Sequence, residues 1–277
     1  MVTKRDYTAE AVNAARSVLI ELVHLLGEYW ENVVLVGGWV PEFLFGETNN
    51  PHVGSIDVDL ALNHMKLTDE GYKSIEDLLL VRGYERGNQP FLFLRKVELH
   101  GEAFTVKIDL LAGEYEGTGK GHRHQRVHGG LARKARGCDL VFDAPLVVTI
   151  EGELPGGGKD SVEVQVASIV PFLVMKGMAL DDRLKEKDAW DIYYCLTNYP
   201  GGLDALVDAF QPHLGHGLVR EGLEKITKHF ASEEHVGPKF VADFEELTDA
   251  EERAILQRDA YERASYLSEK VGIRRKE

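Results

Sequence analysis

Two aspartates one residue apart stand inside an otherwise apolar run, Ser55-Ile56-Asp57-Val58-Asp59-Leu60. Side chains alternate along a strand, so Asp57 and Asp59 would share one face, roughly 6–7 Å apart along the chain. Ile56, Val58 and Leu60 would then face the core. Adjacent carboxylates repel each other and cost energy unless a cation neutralises them. Hard oxygen donors suit Mg²⁺ or Mn²⁺. Asp109 has the same setting in the strand-like run Phe104-Thr105-Val106-Lys107-Ile108-Asp109-Leu110-Leu111. If these two strands are neighbours, three carboxylates converge. Such a site could hold two ions about 3.5–4 Å apart, clamping the attacking and leaving oxygens of a phosphoryl transfer. The alternative is that all three sit at solvent-exposed strand ends. Gly37-Gly38 adds a further element, because it follows an apolar run and opens a short helix. Glycines there let backbone N–H groups approach a phosphate closely, and the helix dipole favours the anion. The alternative is an ordinary tight strand-to-helix turn.

The elements that must position these residues follow from periodicity. Residues 7–29 repeat apolar positions at three and four, and Gly27 stands near the end as a stop signal. Asn32 to Val36 reads as a buried strand, and residues 39–45 as a short helix with Pro41 in its first turn. After a turn-rich loop, Ser55 to Leu62 reads as a strand. Thr68 to Arg82 reads as a helix capped by Gly83. Pro90 to Leu99 and Ala103 to Ala112 read as a hairpin around His100-Gly101-Glu102. Leu140 to Ile150 and Ser161 to Val166 read as a second pair, joined across ELPGGGKD. From Ser168 the pattern is helical, with helices expected over 169–180, 185–196, 203–210, 218–230 and 250–271. The expected fold class is α/β (α+β): a mixed sheet flanked by helices over residues 1–167, followed by an all-α domain over 168–277.

The order VLVGGWVPEFLFG, SIDVDLAL, VKIDLL resembles the DNA polymerase beta-type nucleotidyltransferase superfamily, with Gly-Gly, then D-x-D, then a third carboxylate on a later strand. PFLVMKGMALDDRLKEKDAWDIYYCL, residues 171–196, is similar to the AbiEii-type nucleotidyltransferase toxins, matching at Lys176, Arg183, Lys187, Asp188 and Asp191. The resemblance covers about residues 32–196 and departs in two places. The loop between Gly38 and Asp57 is longer than in the compact pattern. Val53 stands where an Arg often does, with Ser55 retained. The resemblance implies a nucleotidyltransferase-type sheet and a reaction that moves NMP from an NTP to an acceptor hydroxyl, releasing pyrophosphate. Asp57 and Asp59 would hold both Mg²⁺ (or Mn²⁺) ions. Asp109 would bind the ion that activates the acceptor and accept its proton. Gly37, Gly38 and Ser55 would contact the β/γ-phosphates, and Lys176 would bring a charge to the triphosphate. From the residues alone, Lys176 is a lysine on an apolar helix that could snorkel to water. Lys187 and Asp191 are spaced as an intrahelical ion pair. Asp188 is either a site residue or a structural partner.

The formal net charge is −14, which argues against a general nucleic-acid-coating protein. Yet residues 117–137, GTGKGHRHQRVHGGLARKARG, carry Lys120, Arg123, Arg126, Arg133, Lys134 and Arg136 with no acid. This stretch is either a local phosphate-binding patch suited to a tRNA acceptor or a solvated glycine-rich loop. Its His122, His124 and His128 lack the Cys or acidic neighbours of a zinc site. Gly156-Gly157-Gly158-Lys159 is not a P-loop, which would need Gly at Glu153 and Ser or Thr at Asp160. Trp39 belongs to the core or stacks on a base. Two cysteines, Cys138 and Cys195, make no disulfide framework. No apolar run approaches the roughly 18–20 residues that span a bilayer, and the N-terminus lacks a signal-peptide core. A cytoplasmic protein without a membrane partner is expected. The functional expectation is a toxin-type nucleotidyltransferase with NTP as co-substrate and an antitoxin as partner. The alternatives are an inactive nucleotide- or partner-binding module, a nucleotidyltransferase acting on a small molecule, and a metal-dependent hydrolase.

Overall fold

The computed structural model describes residues 3–46, 50–67, 69–114, 124–127 and 130–273. The chain divides into two compact units, one of Tyr7–Phe43 and Gly54–Ser168, the other of Met1–Asp6, Leu44–Val53 and Ile169–Glu277. The first is a mixed α/β unit and the second carries the C-terminal helices, the class of fold expected. Among the described residues no helix is long and apolar enough to cross a membrane.

The α/β unit is built on strands β1 (Val33–Val36), β2 (Asp57–Leu62), β3 (Glu85–Arg86), β4 (Leu92–Leu99), β5 (Glu102–Ala112), β6 (His124–Val127), β7 (Gly130–Lys134), β8 (Leu146–Glu153) and β9 (Lys159–Val166). Their order across the sheet is β3-β4-β5-β2-β1-β9-β8, with β7 pairing β5 and β6 pairing β7. Helix α1 (Ala9–Leu26) opens on Thr8, whose hydroxyl oxygen accepts from the Ala11 N–H, and stops at Gly27. It covers one face of the sheet. Its buried Glu21 binds Arg95 of β4 through two hydrogen bonds of 2.8 and 2.9 Å and also accepts from Arg82 and Tyr84. Arg95 pairs with Val106 across the β4–β5 ladder, whereas Asp109 pairs with Leu92. Because cross-strand partners share a face and neighbours alternate, α1 lies on the Val106, Ile108, Val58 and Leu60 side. All four of those side chains are buried. The carboxylates are therefore on the opposite face. The short helix α2 (Val40–Phe45) follows the turn after β1, and helix α3 (Asp69–Val81) stops just before Gly83, which takes φ +93°. The β4–β5 turn places His100 and Gly101 at positive φ. The glycines of 156–158 form the β8–β9 hairpin tip, with Gly157 and Gly158 at positive φ, and hold no helix N-terminus.

The sheet departs from the sequence reading in residues 117–137. Part of that stretch forms the antiparallel pair β6–β7 rather than a loop, and β7 lies parallel to β5 with Leu111 opposite Arg133. Its glycines and charges hide a strand whose pairing, not its composition, sustains it. Residues 115–123 and 128–129, including Lys120, His122, Arg123 and His128, lie outside the described residues. Another departure is at residues 140–142, expected as the start of a strand, which belong to a 3₁₀ turn over Cys138–Phe142, so that β8 begins at Leu146.

The helical unit contains α4 (Ile169–Arg183), α5 (Glu186–Asn198), α6 (Gly202–Phe210), α7 (Gly217–His229), α8 (Val236–Phe244) and α9 (Ala250–Lys270). Helix α8 carries no signal in the sequence reading, because Gly237 and Pro238 open it and both read as breakers. Pro is tolerated in a first turn, and Gly237 lets the helix approach α7 so closely that a Cβ there would lie 2.6 Å from the His229 carbonyl oxygen. A similar approach joins α4 and α7, where a Cβ on Gly177 would lie 2.5 Å from the Gly222 carbonyl oxygen.

Candidate active site

Strand β2 lies between β1 and β5. It runs antiparallel to β1, with Val36 opposite Asp59, and parallel to β5, with Asp59 opposite Asp109 and Asp57 opposite Lys107. Two registers therefore bring three sequence-distant features to one strand end: the Asp57 and Asp59 pair, the turn that follows Val36, and Asp109. Gly37 begins that turn with φ +73°, and a Cβ there would overlap Asp59 Oδ2. Only glycine combines that dihedral with that approach. Gly38 lies against Ser55, where a Cβ would be 3.0 Å from Oγ. Trp39 locks the turn to β2 by donating from Nε1 to the Asp57 carbonyl oxygen at 2.9 Å. It is fully buried and stacks on Phe43 at 5.5 Å, with the Arg16 guanidinium over both rings. This makes Trp39 a core residue and removes the base-stacking alternative.

Gly37→Ala should cost about 2 kcal/mol of stability, from positive φ and the clash. It should also push the Asp59 carboxylate aside and cut turnover on the order of 10²-fold. Thermal melting and turnover measured on the same preparation check both parts. A variant as active as the wild type would show that Asp59 tolerates displacement.

Burial and the neighbouring carboxylates dominate the electrostatics at Asp109. Burial, followed by Asp59, pushes the Asp109 carboxyl up to about 6, and Asp57 adds to the shift. Arg133 of β7 opposes it, with its guanidinium 3.3 Å from Asp109 Oδ2. The three carboxylates fit a divalent cation by donor chemistry, since they are hard oxygens in mutual repulsion. Among the described residues no three His, Cys, Asp or Glu side chains are drawn together at metal-ligand spacing. In the basic stretch, Arg136 pairs with Glu114 at 2.9 Å, so two of its cations are engaged with carboxylates.

Lys176, Asp188 and the other residues matched on α4 and α5 are brought together in the helical unit. Lys176 Nζ lies 2.9 Å from Asp188 Oδ1 and 2.7 Å from Asp191 Oδ2. Arg183 donates to both oxygens of Asp188, at 2.6 and 2.8 Å. Lys187 pairs with Asp191 as the i, i+4 spacing suggested. All but Arg183 are buried. Both carboxyls are held well below the usual range, against the cost of burial, by Lys176 together with Arg183 at Asp188 and Lys187 at Asp191.

Sequence reasoning missed His52. It is buried, with Nε2 2.9 Å from Asp191 Oδ1 and its ring 4.8 Å from that of Tyr194. The Tyr194 hydroxyl also donates to the Asn50 carbonyl oxygen at 3.0 Å, so α5 fastens the 50–52 segment. The one available signal was a histidine in a long turn-rich loop, which by itself specifies nothing. Burial, then the Lys187 charge, holds His52 down to about 4 despite Asp191. The unfolded chain takes that proton near 6.5. Between these values the unfolded state binds more protons, so stability falls as pH drops from about 6.5 to 4, by roughly 3 kcal/mol in all. The difference in unfolding free energy between wild type and His52→Gln should narrow by that amount between pH 7 and pH 4. An equal difference at both would contradict a neutral buried imidazole.

No family model matches this chain, and no curated protein is similar to it. Among solved structures it is similar to a proposed nucleotidyltransferase from H. pylori, at 15% identity over 96% of this chain and 98% of that one, with a TM-score of 0.45. A likeness of this degree carries no weight as to function, which rests on the residues of the site.

Proposed function

We propose that the chain is a metal-dependent nucleotidyltransferase that moves NMP from an NTP to an acceptor hydroxyl and releases pyrophosphate. One observation carries this reading: Asp59 stands in register with Asp109 across parallel strands, with Asp57 on the same face and the Gly37-Gly38 turn packed against Asp59. A purely structural sheet has no physical reason to line up three mutually repelling carboxylates on one face.

Asp57, Asp59 and Asp109 would hold Mg²⁺ or Mn²⁺, which supplies charge neutralisation and polarisation of the reacting oxygens when bound. In this reading Asp109 would also take the acceptor's proton. The Gly37-Gly38 backbone would cradle phosphate oxygens without side-chain obstruction, with the Ser55 hydroxyl beside them. Lys176 is proposed as a charge toward the triphosphate, and Asp188 as the residue that orients it. The acceptor would be tRNA, met by the basic segment 120–136, and the setting that of a toxin with a neutralising antitoxin in the cytoplasm. The AbiEii-type motif on α4 and α5 supports that finer reading.

The test is transfer of label from each α-³²P-NTP, with Mg²⁺ and total tRNA, using Asp57→Ala as the control. Label on RNA that disappears in the variant is the expected result. Pyrophosphate release without labelled RNA would move the acceptor to a small molecule. Neither product would leave an inactive binding module.

A further inference from the structure

Arg133 is the cation that the strand pairing delivers to the third carboxylate. It belongs to β7, which the sequence reading did not resolve, and its place is set by the parallel register with Leu111. Leu111 is two residues beyond Asp109, so Arg133 shares the face of the carboxylates. Its guanidinium lies 3.3 Å from Asp109 Oδ2, with both side chains partly buried. The neighbouring cation on this face, Lys107 opposite Asp57, is exposed. A half-buried guanidinium is less screened than an exposed ammonium and holds its partner more firmly.

We propose that Arg133 is a positioning residue: a resident counter-ion of Asp109 that a divalent cation must displace, so that it raises the metal concentration at which the site fills. The inference rests on the nucleotidyltransferase reading of the three carboxylates. The carboxylate that accepts from Arg133 is one that would hold the metal ion. In the absence of metal, Arg133 offsets the repulsion among the three aspartates. When a cation supplies that charge instead, two positive groups would crowd one carboxylate, and the guanidinium must leave it. An arginine beside an aspartate shifts its proton affinity by about 1–3 powers of ten, and its effect on another cation is of the same order. A residue that only braced the sheet would loosen the carboxylates when removed and weaken metal binding. The counter-ion account gives the opposite sign.

The experiment is titration of the full-length protein with Mn²⁺ in the absence of nucleotide, reading free Mn²⁺ by electron paramagnetic resonance. Wild type is compared with Arg133→Gln, Arg133→Lys and Asp57→Asn, with circular dichroism as the folding control. Arg133→Gln should bind Mn²⁺ about tenfold tighter. Arg133→Lys, which keeps the charge, should stay within about threefold of wild type. Asp57→Asn should bind much more weakly. Mn²⁺ affinity unchanged or weakened in Arg133→Gln, with binding still dependent on Asp57, overturns the counter-ion role alone. Wild type that binds no Mn²⁺, or binds it without regard to Asp57, overturns the metal-dependent reading and this inference with it.

Discussion

Asp59→Asn is expected to abolish nucleotidyl transfer while leaving the protein slightly more stable. An amide keeps the size of the carboxylate but cannot balance a divalent charge. Asp59 also stands opposite Asp109 on β5 and against Gly37. Loss of one preorganised electrostatic group costs on the order of 10²–10³-fold. If Asp59 holds the metal as proposed, its loss should cost at least the upper end, roughly 10³-fold in kcat/KM. The stability change has the opposite sign. Asp59 is the charged neighbour that, after burial, does most to push the Asp109 carboxyl up, which means the two destabilise each other at neutral pH. Removing that repulsion should add about 1 kcal/mol, or a few degrees in the thermal midpoint of the metal-free protein. Pyrophosphate release and differential scanning fluorimetry on one preparation give both numbers. Activity within tenfold of wild type would remove Asp59 from the chemistry. A midpoint lowered by several degrees would instead make the carboxylate a structural element.

Asp191→Ala should produce the largest loss of stability among single changes in the helical unit. The variant leaves Lys176 and Lys187 buried with one carboxylate, Asp188, already shared with Arg183. Breaking a buried pair from one side costs about 3–5 kcal/mol, because the remaining charge is stranded. For a chain of this size that corresponds to a midpoint lower by on the order of 10 °C. The balance of charge makes a sharper forecast. Two carboxylates face Lys176, Lys187 and Arg183, and burial, aided by the Lys176 charge, holds the Lys187 ammonium below its usual range. Lys187→Met should therefore cost clearly less than Asp191→Ala, since it removes the surplus cation and fills the space with an apolar side chain. Equal denaturant midpoints for the two variants would contradict this charge balance.

This network also separates two roles for Lys176. Its ammonium is raised above the usual lysine range by Asp188 and Asp191 despite burial, so it remains a full charge at any working pH. Whatever it contributes to nucleotide binding, it also supports α4 against α5, and a loss of activity in a Lys176 variant carries meaning only beside a measured stability.

The local elements and the chemistry-bearing residues were legible in the sequence because each rests on short-range physics. Alternation places Asp57 and Asp59 on one strand face. The 3.6-residue period marks α1, α4 and α5, and glycines mark the turns at Gly83 and Gly157-Gly158. What the sequence could not decide was register. Nothing local says that Asp59 pairs with Asp109, that Val36 delivers Gly37 to the same point, or that β7 brings Arg133 beside them. Those pairings link residues that are 50, 23 and 24 positions apart and are selected by the packing of the whole sheet. The same reason hides His52, whose place is set by the α5 helix some 140 residues later, and α8, whose Gly237 and Pro238 become favourable only where α7 approaches. Residue type determined what chemistry was available to this protein, and long-range pairing decided which of those groups meet.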